Sequence, residues 1–118
     1  MPPVNTNSIT LLNEAKAEGL YEMLLAQLQK DFTLANISFE FSEWSSIKTM
    51  CDLLHEKIYV LILEKFQEYL NLLYIIDVPE NVFKEIETTN VVEVSKQVSF
   101  FIFKRELQKV RLKKKYDT

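Results

Sequence analysis

"IKTMCDLLHEKIYVLILEKFQEYLNLLYII", residues 47–76, decides the fold class. It holds neither glycine nor proline, and its apolar residues form a ladder: Ile47, Cys51, Leu54, Ile58, Ile62, Phe66, Leu70 and Leu73. That recurrence is the period of a helix, and the polar Asp52, Glu56, Gln67 and Asn71 fall on the opposite side. Working outward, the only glycine is Gly19 and the only prolines are Pro2, Pro3 and Pro79, so nothing breaks a backbone between Leu20 and Val78. A compact all-β domain would need many more turn residues. The expectation is an all-α fold: a small bundle of three main helices plus one short helix, forming a single domain over 1–118 with residues 1–8 frayed. Its long central helix is expected to run from about 43 to 76, capped by the Ser42 hydroxyl. The alternative is a break near 55–57, where "HEK" interrupts the apolar residues.

The flanking segments read with less regularity. Ser8 can cap a helix from Ile9, with Gly19 kinking or interrupting it. Leu20, Leu24, Leu28 and Phe32 then mark a second helix by their four-residue spacing. "ISFEF" (37–41) alternates like a strand but has no partner strand in the chain, so it reads as an extended connector. Asp77 and Glu80 form a capping-box-like pair around Pro79, opening a short helix to about 87 that buries Val82, Phe83 and Ile86. Asn90 and Glu93 form a second such pair, opening the last helix. Its stretch "VSFFIF" (98–103) is apolar nearly all round and therefore central, although those residues also favour strands.

Composition excludes several function classes. At 118 residues with 47% hydrophobic content, the chain can bury one core. One cysteine precludes an intrachain disulfide framework and fits a reducing, cytoplasmic setting. "MPPVNTNSIT" lacks the basic and apolar regions of a signal peptide. The apolar runs "IYVLIL" (58–63) and "LLYII" (72–76) fall far short of the ~20 residues that span a bilayer.

Catalytic and metal chemistry lack their parts. "CDLLHE" sets Cys51 and His55 four apart beside Asp52 and Glu56, but a structural zinc site needs four ligands, and the chain has one Cys and one His. Asp52-x-x-His55 mimics half of a di-iron carboxylate motif, which requires a second such motif on another helix. No nucleophile-turn motif accompanies His55, and one glycine cannot cradle a phosphate. Glu64 and Glu68 share a face, as solvated acids on helices often do. The expectation is no catalytic site, no metal, no cofactor and no small-molecule substrate.

Charge is distributed unevenly. Residues 104–118 hold seven Lys/Arg against two acids, whereas residues 1–103 hold seven against fifteen. On a helical wheel Phe103, Leu107 and Val110 continue an apolar stripe; Lys104, Arg111 and Lys115 run down one flank and Arg105, Lys109 and Lys113 down the other, with Lys114 ending the stripe. These seven cations could contact nucleic-acid phosphates, but the acidic body opposes that. Membrane docking would need an exposed apolar face, which the core claims here. The favoured reading is a helix end, where cations meet the negative terminus and neutralise acids on neighbouring helices.

Two stretches, "YLNLLYIIDVPE" (69–80) and "FKRELQKVRLKKKY" (103–116), carry a resemblance. With their "LNLLY-x-ID" segment and the element formed by Arg105, Glu106, Gln108 and Lys109, they resemble small uncharacterised helical proteins of Bacteroidota bacteria. The resemblance implies a bacterial cytoplasmic protein and transfers no functional residue.

The function expected from the residues is an interaction module that binds a protein partner or itself; the alternative is a nucleic-acid-associated accessory protein. Self-association follows from length. A helix over 43–76 would be about 51 Å long, against a domain diameter of roughly 35 Å. Tyr59, Val60 and Leu63 lie off its main stripe and are the expected self-association face.

Overall fold

The computed structural model describes residues 4–42, 44–86 and 89–116. Five α-helices follow in order: α1 (Val4–Ala17), α2 (Tyr21–Leu34), α3 (Ile47–Glu64), α4 (Phe66–Ile76) and α5 (Val91–Tyr116), with a 3-10 helix, Glu80–Glu85, before the last. Among the described residues there is no strand. The all-α reading holds, but three main helices become five.

The largest correction concerns the central helix. Residues 47–76 do not form one rod: Lys65, at φ −142° and ψ 59°, ends α3 and begins α4. A continuous 47–76 helix would be about 45 Å long, and the molecule's longest extent is 42 Å. Bending keeps both apolar stripes inside a body of radius of gyration 13.6 Å. It also changes the phase of the ladder. Cys51, Leu54 and Ile58 are buried on α3, but α4 buries Tyr69, Leu72, Leu73 and Ile76, leaving Phe66 and Leu70 outside. The break falls at Lys65, not at the "HEK" of 55–57.

The longest helix is instead α5. Its 26 residues span about 39 Å, nearly the full length of the molecule, and it packs against α1, α2, α3 and α4. Residues 98–103 are helical, with Val98, Ser99, Ile102 and Phe103 all buried. The turn of polar Ser95 and Ser99 into this core is satisfied locally: each hydroxyl donates to a carbonyl one turn back, Val92 O and Ser95 O, at 2.8 Å.

Caps explain where the elements end. Three helices close through a residue in the left-handed region: Gly19 (φ 72°), Asn36 (φ 59°) and Asp77 (φ 69°). At each, the next residue's N–H donates to the carbonyl five back: Leu20 to Ala15, Ile37 to Phe32, Val78 to Leu73. Gly19 therefore terminates α1; it does not kink a longer helix. A Cβ there would meet nothing within 4 Å, so Gly19→Ala introduces only backbone strain. We expect a loss of about 1 kcal/mol, read from urea midpoints at unchanged m-value.

Several cap expectations are revised. Ser46, not Ser42, caps α3, its hydroxyl accepting from Thr49 N–H at 3.1 Å. Ser42 Oγ accepts from Trp44 N–H instead, and Trp44 is exposed, outside the ladder. Pro79 precedes the short helix, which has no side-chain cap, and Asp77 closes α4. Asn90 does cap α5, its Oδ1 accepting from Glu93 N–H at 3.1 Å. Ser8 lies buried within α1 and does not cap it. Of the start expected to fray, residues 1–3 lie outside the described residues, and from Val4 the chain is helical.

"ISFEF" is an extended connector as expected. Ile37 and Phe39 are buried and Phe41 half-buried, while Ser38 and Glu40 face outward. Phe39 stacks between Phe32 and Phe41, with ring centroids at 4.5 and 5.1 Å. This aromatic column fixes the crossing from α2 to α3.

Candidate docking surface

The phase change at Lys65 exposes an apolar stripe on α4. Phe66, Leu70 and Tyr74 stand four apart along α4 and are 54%, 42% and 84% exposed. Side chains at that spacing adjoin on a helix surface, so the three form one apolar stripe. Its polar border is uncharged, Gln67 and Asn71. Phe66 is held by its own turn, its ring centroid 5.4 Å from that of Tyr69. Past Tyr74 the stripe opens into a groove of about 450 Å³ between α4 and the 3-10 helix. Leu70, Val78, Pro79 and Phe83 line its apolar part, with Asp77 and Glu80 on its acidic side.

The residues expected to self-associate lie on α3, before the break. Leu63 is 55% exposed and Val60 37% exposed, both on the last turns of α3, just before the break. Tyr59 is half-buried and lines a separate shallow depression with Asp52, His55, Glu56 and Val92. The stripe on α4, by contrast, is made of Phe66 and Leu70, which the continuous ladder had assigned to the core, and Tyr74.

The seven cations of the basic tail are divided by the fold. Arg105 donates to Asp77 Oδ2 at 2.9 Å, tying α5 to the closing residue of α4. Arg111 reaches α1, its Nε donating to Glu18 Oε1 at 3.0 Å and its second arm completing a bidentate pair. That guanidinium, by hydrogen bonding first, holds the Glu18 carboxyl below its ordinary range. Lys109 is the most committed of all. Its Nζ donates to Asp31 Oδ2 at 2.6 Å and to the carbonyl of Ile76 at 3.1 Å, and lies 2.9 Å from Glu106 Oε1. Lys104, Lys113, Lys114 and Lys115 are exposed. The wheel's two flanks thus face acids on different helices, Arg111 towards α1 and Arg105 and Lys109 towards α4 and α2.

Lys109 sits in a buried ionisable cluster with Asp31 of α2 and Glu106 of α5. Asp31 also accepts from Gln27 Nε2 at 3.1 Å. Glu106 is fully buried, and neither carboxyl oxygen makes a hydrogen bond of acceptable geometry, despite the short distance to Lys109. Burial first, and the neighbouring Asp31 carboxylate second, push the Glu106 carboxyl up to about 8. At neutral pH Glu106 therefore keeps its proton, and Asp31 and Lys109 balance each other's charge. The proton spares the cluster a second buried anion.

Cys51 is buried and its thiol is pushed up to about 11, by burial first and by Asp52 second. It stays protonated at neutral pH, the state of an inert core thiol. His55 Nε2 is buried without a hydrogen-bond partner. Among the described residues no three His, Cys, Asp or Glu side chains gather in a way that could hold a metal ion. Nor is any described helix long and apolar enough to cross a membrane. Set beside protein-family models, curated proteins and solved structures, the chain finds no match in any of the three.

Proposed function

We propose that this chain is a helical interaction module whose docking face is the outer side of α4. The observation that carries the reading is the Phe66–Leu70–Tyr74 stripe. Two aromatic residues and a leucine project from a helix whose other face, Tyr69, Leu72, Leu73 and Ile76, is packed in the core. Single exposed apolar residues are ordinary, but a contiguous apolar row beside a groove is the usual form of a binding site. Aromatic residues are also the side chains that concentrate binding energy.

The nucleic-acid reading has less to work with, because Arg105, Lys109 and Arg111 already serve acids within the fold. The remaining lysines stand on a body with eight more acids than bases over residues 1–103.

Affinity capture with wild type and Leu70→Glu as baits tests the choice. A protein partner retained by wild type and lost by Leu70→Glu is the expected result, with helicity by circular dichroism unchanged in both. Equal recovery by the two baits would remove the α4 face from the function. Binding of a labelled oligonucleotide at low salt that persists in Leu70→Glu and disappears in Lys113→Glu/Lys114→Glu would favour the basic end instead.

A further inference from the structure

We infer that the partner on this face is a second copy of the chain, paired antiparallel through α4 about a two-fold axis at Leu70. The inference rests on the docking reading above and specifies its occupant. Three features of the face point to self-pairing.

The first is its symmetry. Leu70 lies midway between Phe66 and Tyr74, four residues from each, so an antiparallel copy centred on Leu70 sets each Phe66 opposite a Tyr74. The two aromatics are about 12 Å apart along the helix, and the groove opens beside Tyr74. Each copy then offers its Phe66 to the apolar groove of the other. A two-fold interface requires this reciprocity, with residue i meeting j and j meeting i.

The second feature is charge. The helix carries no charged residue on the stripe or its Gln67/Asn71 border, so a like-charge clash at the centre is absent. At the ends, Lys65 directly precedes Phe66, and Glu80 lies on the groove. Antiparallel pairing brings the Lys65 end of one copy to the Glu80 end of the other. A parallel pairing would set Lys65 against Lys65.

Area is the third. At ~150–250 Å² per aromatic side chain, the exposed fractions of Phe66 and Tyr74 amount to roughly 200–350 Å². Leu70 enlarges the patch, and the groove walls add to it. The stripe alone supplies roughly a third to a half of the ~800 Å² per partner of a standard interface, and the groove beside it must supply the rest.

The test is mass in solution, at tens of micromolar, by light scattering behind size-exclusion chromatography. The expected result is twice 13.9 kDa for wild type, and 13.9 kDa for both Leu70→Glu and Tyr74→Lys with their helicity retained. Both positions are exposed enough that the monomer should fold. Leu70→Cys should in addition oxidise rapidly to a disulfide-linked dimer, because the axis places the two residues 70 together. Lys16→Cys, exposed on α1, should not, and buried Cys51 stays out of the reaction. A wild-type mass of 13.9 kDa overturns the second copy. If capture of another protein still depends on Leu70, the docking reading survives; if it does not, both fall. A dimer that persists in Leu70→Glu and Tyr74→Lys also overturns this pairing.

Discussion

Lys109→Met lowers the unfolding free energy by about 3–5 kcal/mol at neutral pH, the largest loss expected from any single exchange in the basic segment. The side chain is 18% exposed and the two acids beside it are 4% and 0% exposed. Removing the ammonium strands the Asp31 carboxylate in the interior with only the Gln27 amide as a direct donor. It also orphans the carbonyl of Ile76, in the last turn of α4, where no helical N–H can serve it. One cation therefore secures α2, the end of α4 and α5 together, and its loss is felt by all three. For a chain of this size the melting temperature should fall by about 10–20 °C. Lys48→Met is the control: its pair with Asp52 spans 3.0 Å but is well exposed, and such i,i+4 pairs contribute about 0.3–0.5 kcal/mol. Equal effects at 48 and 109 would mean that the buried cluster is no more than a surface ion pair. A second comparison separates strain from charge. The triple replacement Asp31→Leu/Glu106→Met/Lys109→Met leaves no buried charge behind and should recover most of the stability lost by Lys109→Met alone.

Helical class, the extended 37–41 segment, the Asn90 cap and the apolar stripe of α5 were legible because each rests on local pattern. Phe103, Leu107 and Val110 are buried as their spacing requires. The break at Lys65 was not legible, since "LEKFQ" contains no glycine, proline or capping side chain to mark it. Tertiary packing imposes it: a straight 47–76 helix of about 45 Å would outrun a body whose longest extent is 42 Å. That one backbone residue determined the fate of Phe66 and Leu70, which a continuous ladder placed in the core and the fold places outside. An exposed apolar face can therefore hide in a sequence as an apparently ordinary core stripe. Helix ends showed the same asymmetry. Gly19 announced itself, whereas Asn36 and Asp77, which close α2 and α4 with positive φ, did not, although both residue types tolerate that region.

The buried cluster had a sequence signal that charge counting obscured. Glu106 falls on the ladder Ser95, Ser99, Ile102, Glu106, Val110, whose other members are all buried. An acid in such a ladder is either a register error or a paired, protonated group. Asp31 likewise precedes the buried Phe32, on the face of α2 that carries Leu24 and Leu28. Counted as part of a tail of seven cations, Lys109 looked like surface charge. Counted against these two acids, it belongs to the core.

Raising the pH from about 5 to 8 should destabilise this protein, the reverse of the usual rise in stability as paired carboxylates ionise. Glu106 has an ordinary carboxyl value of 4.5 when the chain is unfolded and about 8 when folded. Between those values the folded state holds a proton that the unfolded state has released. Stability therefore falls with pH across that window, by up to ~1.4 kcal/mol per unit. It is complete below pH 4.5 and lost as pH passes 8. The full effect is of order 4–5 kcal/mol. Asp31 from α2 and Lys109 from α5 are the charges that face the carboxyl. Once Glu106 ionises, two buried anions share a single cation, and the excess negative charge has no hydrogen-bond donor of its own. Glu18, whose value is depressed, acts only at more acidic pH, because its contribution disappears as pH falls below the ordinary carboxyl range. Thermal denaturation across the window checks the sign. Glu106→Gln is the decisive comparison, since a carboxamide keeps the shape of the carboxyl and stays uncharged at every pH in the window. It should match wild type below about pH 5, show a flat profile through pH 8, and exceed wild type by a margin that grows across that window. Parallel slopes for the two proteins would show that Glu106 does not hold its proton in the fold.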